Sequence, residues 1–371
     1  MQTFWFKNLA LLSRRYASLI VMSCLGCATT SPTTDKAMND TIISRFSMTN
    51  PLVQTIGRTE PLADGSVRFA YPGVTTRFNV SGKAFWLQAR STSDQSYLEI
   101  IVDNTEPQVI QLSSQSQRIP LVFETPSPHQ VAIIHRGETW HGVVTLEHIE
   151  IADGGLLDPS PLPHKRMLIL GDSVTCGEAI ERTADCKKTT RWWNPRLSYG
   201  MLTAAALDAQ VNLVCYGGRG LVRSWNGRTD ELNLPDYAEL TIADPASSVV
   251  WDHGNYTPDL ILSAIGTNDF SQGIPEREDY VSTYVALIKR LFELYPKTHI
   301  VLTEGAILSG EKKAALTAYL TEVQQRVASP RLHLVTSNHY PGDTCDAHPT
   351  KAQHAAMAKD LAPHLKRIMH W

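Results

Sequence analysis

The sequence predicts an α/β protein in two parts: an antiparallel β-sandwich over residues 41–155, then a three-layer α/β/α domain around a parallel sheet over residues 166–371. Three observations lead there. Residues 41–155 hold short strand-rich runs separated by turn residues, with no amphipathic helix between them. From residue 166 onward, apolar strands alternate with helical stretches, the grammar of a parallel sheet covered on both faces. Between the two, residues 156–165 carry Asp158-Pro159-Ser160-Pro161-Leu162-Pro163, which suits neither pattern and reads as a linker.

The chain has 371 residues and a net charge of −3, with no concentrated basic stripe, so nucleic acid is excluded as a partner. Residues 1–27 read as a signal peptide. Lys7, Arg14 and Arg15 precede the apolar run Tyr16–Met22, and small residues surround Cys24 and Cys27. Either cysteine fits the lipidated position of a bacterial lipoprotein, and the apolar run is too short to span a membrane. Residues 28–40 read as a flexible tether. The expectation is an exported protein, secreted or held at the cell envelope through an N-terminal lipid.

Sandwich strands are expected at Ser66–Tyr71, Ala84–Ala89, Tyr97–Val102, Gln130–Ile134 and Gly142–Leu146, with turns at Asp64-Gly65, Pro72-Gly73, Ser81-Gly82 and Asp103-Asn104. In the second part, strands are expected at Met167–Leu170, Val211–Tyr216, Leu260–Ile265, His299–Thr303 and Leu332–Thr336. A helix is expected over Glu278–Tyr295, where Val281, Tyr284, Val285, Ile288, Leu291, Phe292 and Tyr295 recur at three- and four-residue spacing. Export places the cysteines in an oxidising compartment. Cys176 and Cys186 flank a short loop that a bond between them would close; the alternative leaves both free, with Cys215 a buried thiol.

In parallel sheets, sites form at the carboxyl ends of strands. Here the first strand ends in Gly171-Asp172-Ser173, the second in Tyr216-Gly217-Gly218-Arg219-Gly220 and the third in Gly266-Thr267-Asn268-Asp269. A later loop carries Cys345-Asp346-Ala347-His348-Pro349. These are the parts acyl transfer needs: a hydroxyl nucleophile, a base, a carboxylate to orient it, and N–H donors for an oxyanion. Each also has a plain reading, as an N-cap serine, turn glycines, turn-forming Asn and Asp, or a structural histidine. Their joint occurrence at strand ends favours the site. Ser173 is the expected nucleophile and His348 the base. Ser173 N–H, Gly218 N–H and the Asn268 amide are the expected oxyanion donors, with Gly220 in reserve. Asp172 and Asp269 are expected to brace turns.

These four blocks resemble the signature of the SGNH (GDSL-type) hydrolases, and in detail carbohydrate esterase family two. Ile56-Gly57-Arg58, Arg68–Gly73, Val102-Asp103 and His135-Arg136-Gly137-Glu138-Thr139 resemble landmarks of that family's N-terminal jelly-roll sandwich. The resemblance implies removal of acetyl groups from plant cell-wall polysaccharide such as acetylxylan or acetylated glucomannan, with no cofactor and no metal. One departure stands out: SGNH enzymes usually carry an aspartate three residues before the histidine, and here that position is Cys345. Asp346, two before, reaches the same side of an extended loop and is the expected third member, with a backbone carbonyl as the alternative.

Trp192, Trp193, Trp225 and Trp251 lie near the strand ends, where an indole suits either a sugar face or core packing. The competing functions are a lipase or thioesterase on the same scaffold and a non-catalytic carbohydrate-binding lipoprotein. The chain has no Gly-x-Ser-x-Gly elbow and no His-Glu-x-x-His pair, which disfavours an α/β-hydrolase and a zinc hydrolase.

Overall fold

A computed structural model describes residues 41–371 except Asn104 and residues 123–127. The expected signal peptide and tether, with Cys24 and Cys27, lie outside the described residues.

Strands with one buried face build the first part. Thr75–Ser81 and Ala84–Ser91 alternate buried and partly exposed side chains along almost their whole length, the period-two pattern of a half-buried strand. One antiparallel sheet runs Glu60–Pro61, Val67–Phe69, Val144–Ala152, Ala84–Ser91, Gln117–Val122, with Ile43–Ser47 also paired to Val144–Ala152. The other runs Gly155–Leu157, Thr75–Ser81, His129–Arg136, Tyr97–Val102, Gln108–Gln111, with Gln54–Ile56 also paired to Thr75–Ser81. Their inner faces share one core, in which Phe78 and Phe85 meet edge to face at 5.7 Å.

The second part holds a five-stranded parallel sheet in the order Ala209–Cys215, Lys165–Gly171, Leu260–Ala264, His299–Thr303, Leu332–Leu334. Numbered along the chain this is 2-1-3-4-5, which puts the switch point between the first and third strands. Leu168 and Leu170 pack toward helices Arg277–Leu294 and Gly310–Val327, while Met167 and Ile169 face helices Tyr199–Ala206 and Lys351–Met369. The expected helix at Glu278–Tyr295 is therefore present one residue earlier, with Tyr280, Val281, Tyr284, Leu287, Ile288 and Leu291 buried.

Polar side chains lock the sandwich to the parallel-sheet part. The fully buried Arg58 donates to the carbonyls of Ala238 (2.7 Å) and Leu240 (2.6 Å) and lies over the Trp251 ring. Tyr71 donates to the Tyr237 carbonyl. Glu99 and Arg136, both buried, pair at 2.9 Å, and Glu99 also receives Asn194 and Arg196. Arg136 reaches Glu181 and the Arg191 carbonyl. The segments that resemble family landmarks in the sandwich thus supply much of this interface.

The disulfides differ from the sequence expectation. Cys176 bonds Cys215, and Cys186 bonds Cys345, with Cα separations of 5.6 and 5.1 Å. Cys176 faces inward from the turn after Gly171, and Gly171 is paired in register with Cys215 on the adjacent strand. Cys186 is exposed, on a loop that meets the His348 loop 159 residues later. A bond between Cys176 and Cys186 is therefore replaced by two long-range bonds, and Cys215 is not a free thiol.

Candidate active site

The apolar strand Lys165–Gly171 ends at Asp172, whose carboxylate caps the one-turn helix Ser173–Cys176 by accepting the Val174 N–H at 3.0 Å. Gly177 ends that turn at φ 79°, a left-handed conformation suited to glycine, and sends Glu178 back over the site. Burial pushes the Asp172 carboxyl up to about 6.

Ser173 Oγ lies 2.9 Å from His348 Nε2, and His348 Nδ1 lies 2.6 Å from Asp346 Oδ1. The same Asp346 oxygen accepts the His348 backbone N–H at 2.9 Å, so the two-residue spacing closes a turn that aims the imidazole. The imidazole is thus partnered by the Asp346 carboxylate rather than by a backbone carbonyl. Burial works to raise the Asp346 pKa, but hydrogen bonds from His348 and Lys188 outweigh it and hold the carboxyl well below the usual carboxylate range.

The loop that carries His348 precedes helix Lys351–Met369, whose start is fixed by the reciprocal capping of Thr350 and Gln353. Arg182 grips its backbone, donating to the carbonyls of Asp346 (2.7 Å), His348 and Pro349 and pairing with Asp343. The Cys186–Cys345 bond ties the same loop down from the position where an aspartate would otherwise stand.

Gly218 sits at φ 76°, and a Cβ there would stand 2.9 Å from Trp225 Cδ1, so both backbone and neighbour call for glycine. Asp269 collects the N–H groups of Leu221, Val222 and Arg223. Burial still pushes its carboxyl up to about 6. Asn268 Nδ2 donates to the Arg219 carbonyl at 2.8 Å, which uses one of its two hydrogens and leaves the other. The Gly220 N–H points to Asn233 Oδ1 at 3.4 Å, so the reserve donor is turned to a protein partner. No backbone acceptor among the described residues takes the Ser173 or Gly218 N–H.

Sequence reasoning missed Glu178 and Lys188. Glu178 Oε2 lies 3.3 Å from His348 Nε2, while Lys188 Nζ bonds Glu178 Oε1 and sits 2.8 Å from Asp346 Oδ2. Glu178, Asp346 and His348 lie close enough to gather a cation, but both imidazole nitrogens are engaged and the Lys188 ammonium already bridges the two carboxylates. Of the four tryptophans considered, Trp192, Trp193 and Trp251 are buried, and Trp225 is 58% exposed beside Gly218. A fifth, Trp140 of the sandwich, is 49% exposed, with its Nε1 3.4 Å from where a Gly217 Cβ would stand. Its sequence carries no signal beyond its type, since only the fold brings it to the glycine loop.

Comparison with known proteins agrees with this arrangement. Residues 55–161 match the "Carbohydrate esterase 2 N-terminal" model, and residues 169–362 match the "GDSL-like Lipase/Acylhydrolase family" model. An acetylxylan esterase / glucomannan deacetylase of Cellvibrio japonicus is 51% identical over 327 residues, covering 88% of this chain and 91% of that relative. A solved family two carbohydrate esterase from Cellvibrio japonicus superposes with a TM-score of 0.88 at 50% identity, over 89% of this chain and 99% of the other. A family two carbohydrate esterase from Clostridium thermocellum, solved in complex with cellohexaose, gives a TM-score of 0.79 at 25% identity, over 86% and 99%. The chain belongs to carbohydrate esterase family two.

Proposed function

We propose that this protein is an exported serine esterase that removes O-acetyl groups from plant cell-wall polysaccharide, acetylxylan or acetylated glucomannan, through an acetyl-enzyme. The observation that carries the proposal is the continuous hydrogen-bonded relay from Ser173 through His348 to Asp346, at 2.9 and 2.6 Å.

As Ser173 Oγ forms its bond to the acetyl carbonyl carbon, its proton passes to His348 Nε2. Asp346 holds the Nδ1–H and stabilises the imidazolium. The tetrahedral oxyanion takes the Ser173 and Gly218 N–H groups and the free Asn268 amide hydrogen. On collapse, the bond from carbon to the sugar oxygen breaks and that oxygen takes the Nε2 proton. Water repeats the sequence on the acetyl-enzyme, giving acetate and restoring Ser173. Glu178, beside Nε2, adds a second carboxylate facing the imidazolium, and Lys188 offsets the charge of the carboxylate pair.

Trp140 and Trp225, half-exposed beside Gly217 and Gly218, offer apolar faces for sugar rings next to the reacting ester. The two disulfides support folding in an oxidising compartment. The test is acetate released from acetylated xylan and acetylated glucomannan by wild type and by Ser173→Ala. Release by wild type alone is expected. A folded wild type that releases none from either polymer overturns the proposal.

A further inference from the structure

The sandwich reaches the catalytic loop through one side chain that the reaction as described does not use. Glu138, on the turn joining strand His129–Arg136 to the short helix Thr139–His141, is fully buried. Its Oε1 accepts the Thr139 N–H at 2.8 Å and lies 3.0 Å from Cys176 Sγ, one turn from the nucleophile. Its Oε2 makes no well-formed hydrogen bond among the described residues; the Gly217 N–H acts on the carboxyl, and Oε2 lies 2.6 Å from where a Gly217 Cβ would stand. The next residue, Thr139, donates to the Cys215 carbonyl at 2.6 Å. The segment Cys215–Gly217, which delivers Gly218, is therefore backed by the sandwich from below and by the Cys176–Cys215 bond from the side.

We propose that Glu138 is a positioning residue for ester hydrolysis: its buried carboxyl, wedged under Gly217, sets the peptide that turns the Gly218 N–H toward the oxyanion. This rests on the esterase reading above and extends it by giving the sandwich a part in the chemical step. Any amino acid with a Cβ at position 217 would collide with the carboxyl, so the glycine and the glutamate fit as a pair.

The charge state of the wedge matters because it lies under a site for a developing anion. Burial pushes the Glu138 carboxyl up to about 8, with Glu178 and Asp172 adding to the rise and the Thr139 and Gly217 N–H groups opposing it. Tyr216 and Tyr237 also face it, and the His141 Nδ1 accepts the Glu138 N–H at 3.0 Å, which leaves that ring neutral. A neutral carboxyl props the loop without opposing the oxyanion, whereas ionisation near pH 8 puts a negative charge behind it.

The test is the pH dependence of kcat and KM for acetate release by the protein, wild type against Glu138→Ala and Glu138→Gln, with folding checked by circular dichroism. Wild type is expected to lose kcat on the alkaline side with a midpoint near 8. Glu138→Ala is expected to lose about tenfold or more in kcat at neutral pH with little change in KM. Glu138→Gln is expected to recover most of that loss and to lack the alkaline limb. A folded Glu138→Ala with wild-type kcat overturns the proposal, as does an alkaline limb that Glu138→Gln leaves in place. Should Glu138→Ala not fold, the limb in Glu138→Gln decides. A folded wild type that releases no acetate defeats the esterase reading itself, and is seen before any variant is compared.

Discussion

Replacing Ser173 by alanine removes the hydroxyl held 2.9 Å from His348 Nε2, and acetate release should fall to background in a protein that melts as wild type does. His348→Ala should do the same. Asp346→Ala should cost less, because the Glu178 carboxylate still lies 3.3 Å from His348 Nε2; an equal, near-total loss in all three variants would contradict that ordering. Asn268→Ala should lower kcat by about 10²–10³-fold and leave KM nearly unchanged, since the proposed mechanism uses its second amide hydrogen only for the developing oxyanion. A change confined to KM would instead place Asn268 in substrate binding. Ser173 and Asn268 were legible in the sequence because each stands in a short motif at a strand end, and His348 because the motif Cys345-Asp346-Ala347-His348-Pro349 marks its loop. Asp346 was legible through its two-residue spacing from His348. Glu178 and Lys188 were not, because their charge becomes informative only when the loop bearing Lys188 folds against the loop bearing His348.

Among the elements, the loop around His348 depends most on covalent help. It runs without regular structure between strand Leu332–Leu334 and helix Lys351–Met369, and Arg182, Lys188 and the Cys186–Cys345 bond hold it. Cys345→Ser should therefore lower thermal stability, by about 2–4 kcal/mol on the usual scale for a disulfide, and should lower kcat by releasing His348. Loss of stability with kcat intact would show that Arg182 and Lys188 suffice to aim the imidazole without the disulfide. Strand positions were readable where burial alternates, as in Ala84–Ser91, expected over Ala84–Ala89, although Thr75–Ser81 alternates as well and was missed; the long amphipathic helix was readable to within one residue at each end. Cysteine pairing was not, because Cys176 is nearer Cys186 in sequence but, on the turn after Gly171, meets Cys215 at the end of the strand paired with Lys165–Gly171.

For the whole molecule, buried titratable groups set how stability varies with pH. Burial lowers His135 to about 4 and His141 and His354 to about 3, so they stay neutral in the fold and take up protons on unfolding below 6.5. Their contribution is present above 6.5 and lost as pH falls. Glu138 has the opposite sign: protonated in the fold up to about 8 but ionised above 4.5 once unfolded, it favours the fold below 4.5 and loses that contribution as pH rises toward 8. Asp172 and Asp269, each pushed up to about 6, act the same way but are spent by then. Between pH 6.5 and 8 Glu138 therefore dominates, and urea unfolding should show stability falling across that window, with Glu138→Gln flattening the slope. An unchanged slope would show that the carboxyl is already ionised in the fold. The two-part architecture was legible in the change of sequence grammar near residue 156. The interface was not: Arg58, Arg136 and Glu138 stood out only through their resemblance to family landmarks and Glu99 not at all, and their interface role becomes visible only once two distant segments bury them together.

The central claim, that the strand-end serine is the nucleophile, is tested most directly by reacting the protein with a fluorophosphonate serine-hydrolase probe and locating the adduct by peptide mass spectrometry. A single adduct on the peptide holding Ser173, absent from a folded Ser173→Ala variant, is the predicted result. A folded wild type that takes no label, or takes it on another residue, would contradict the account.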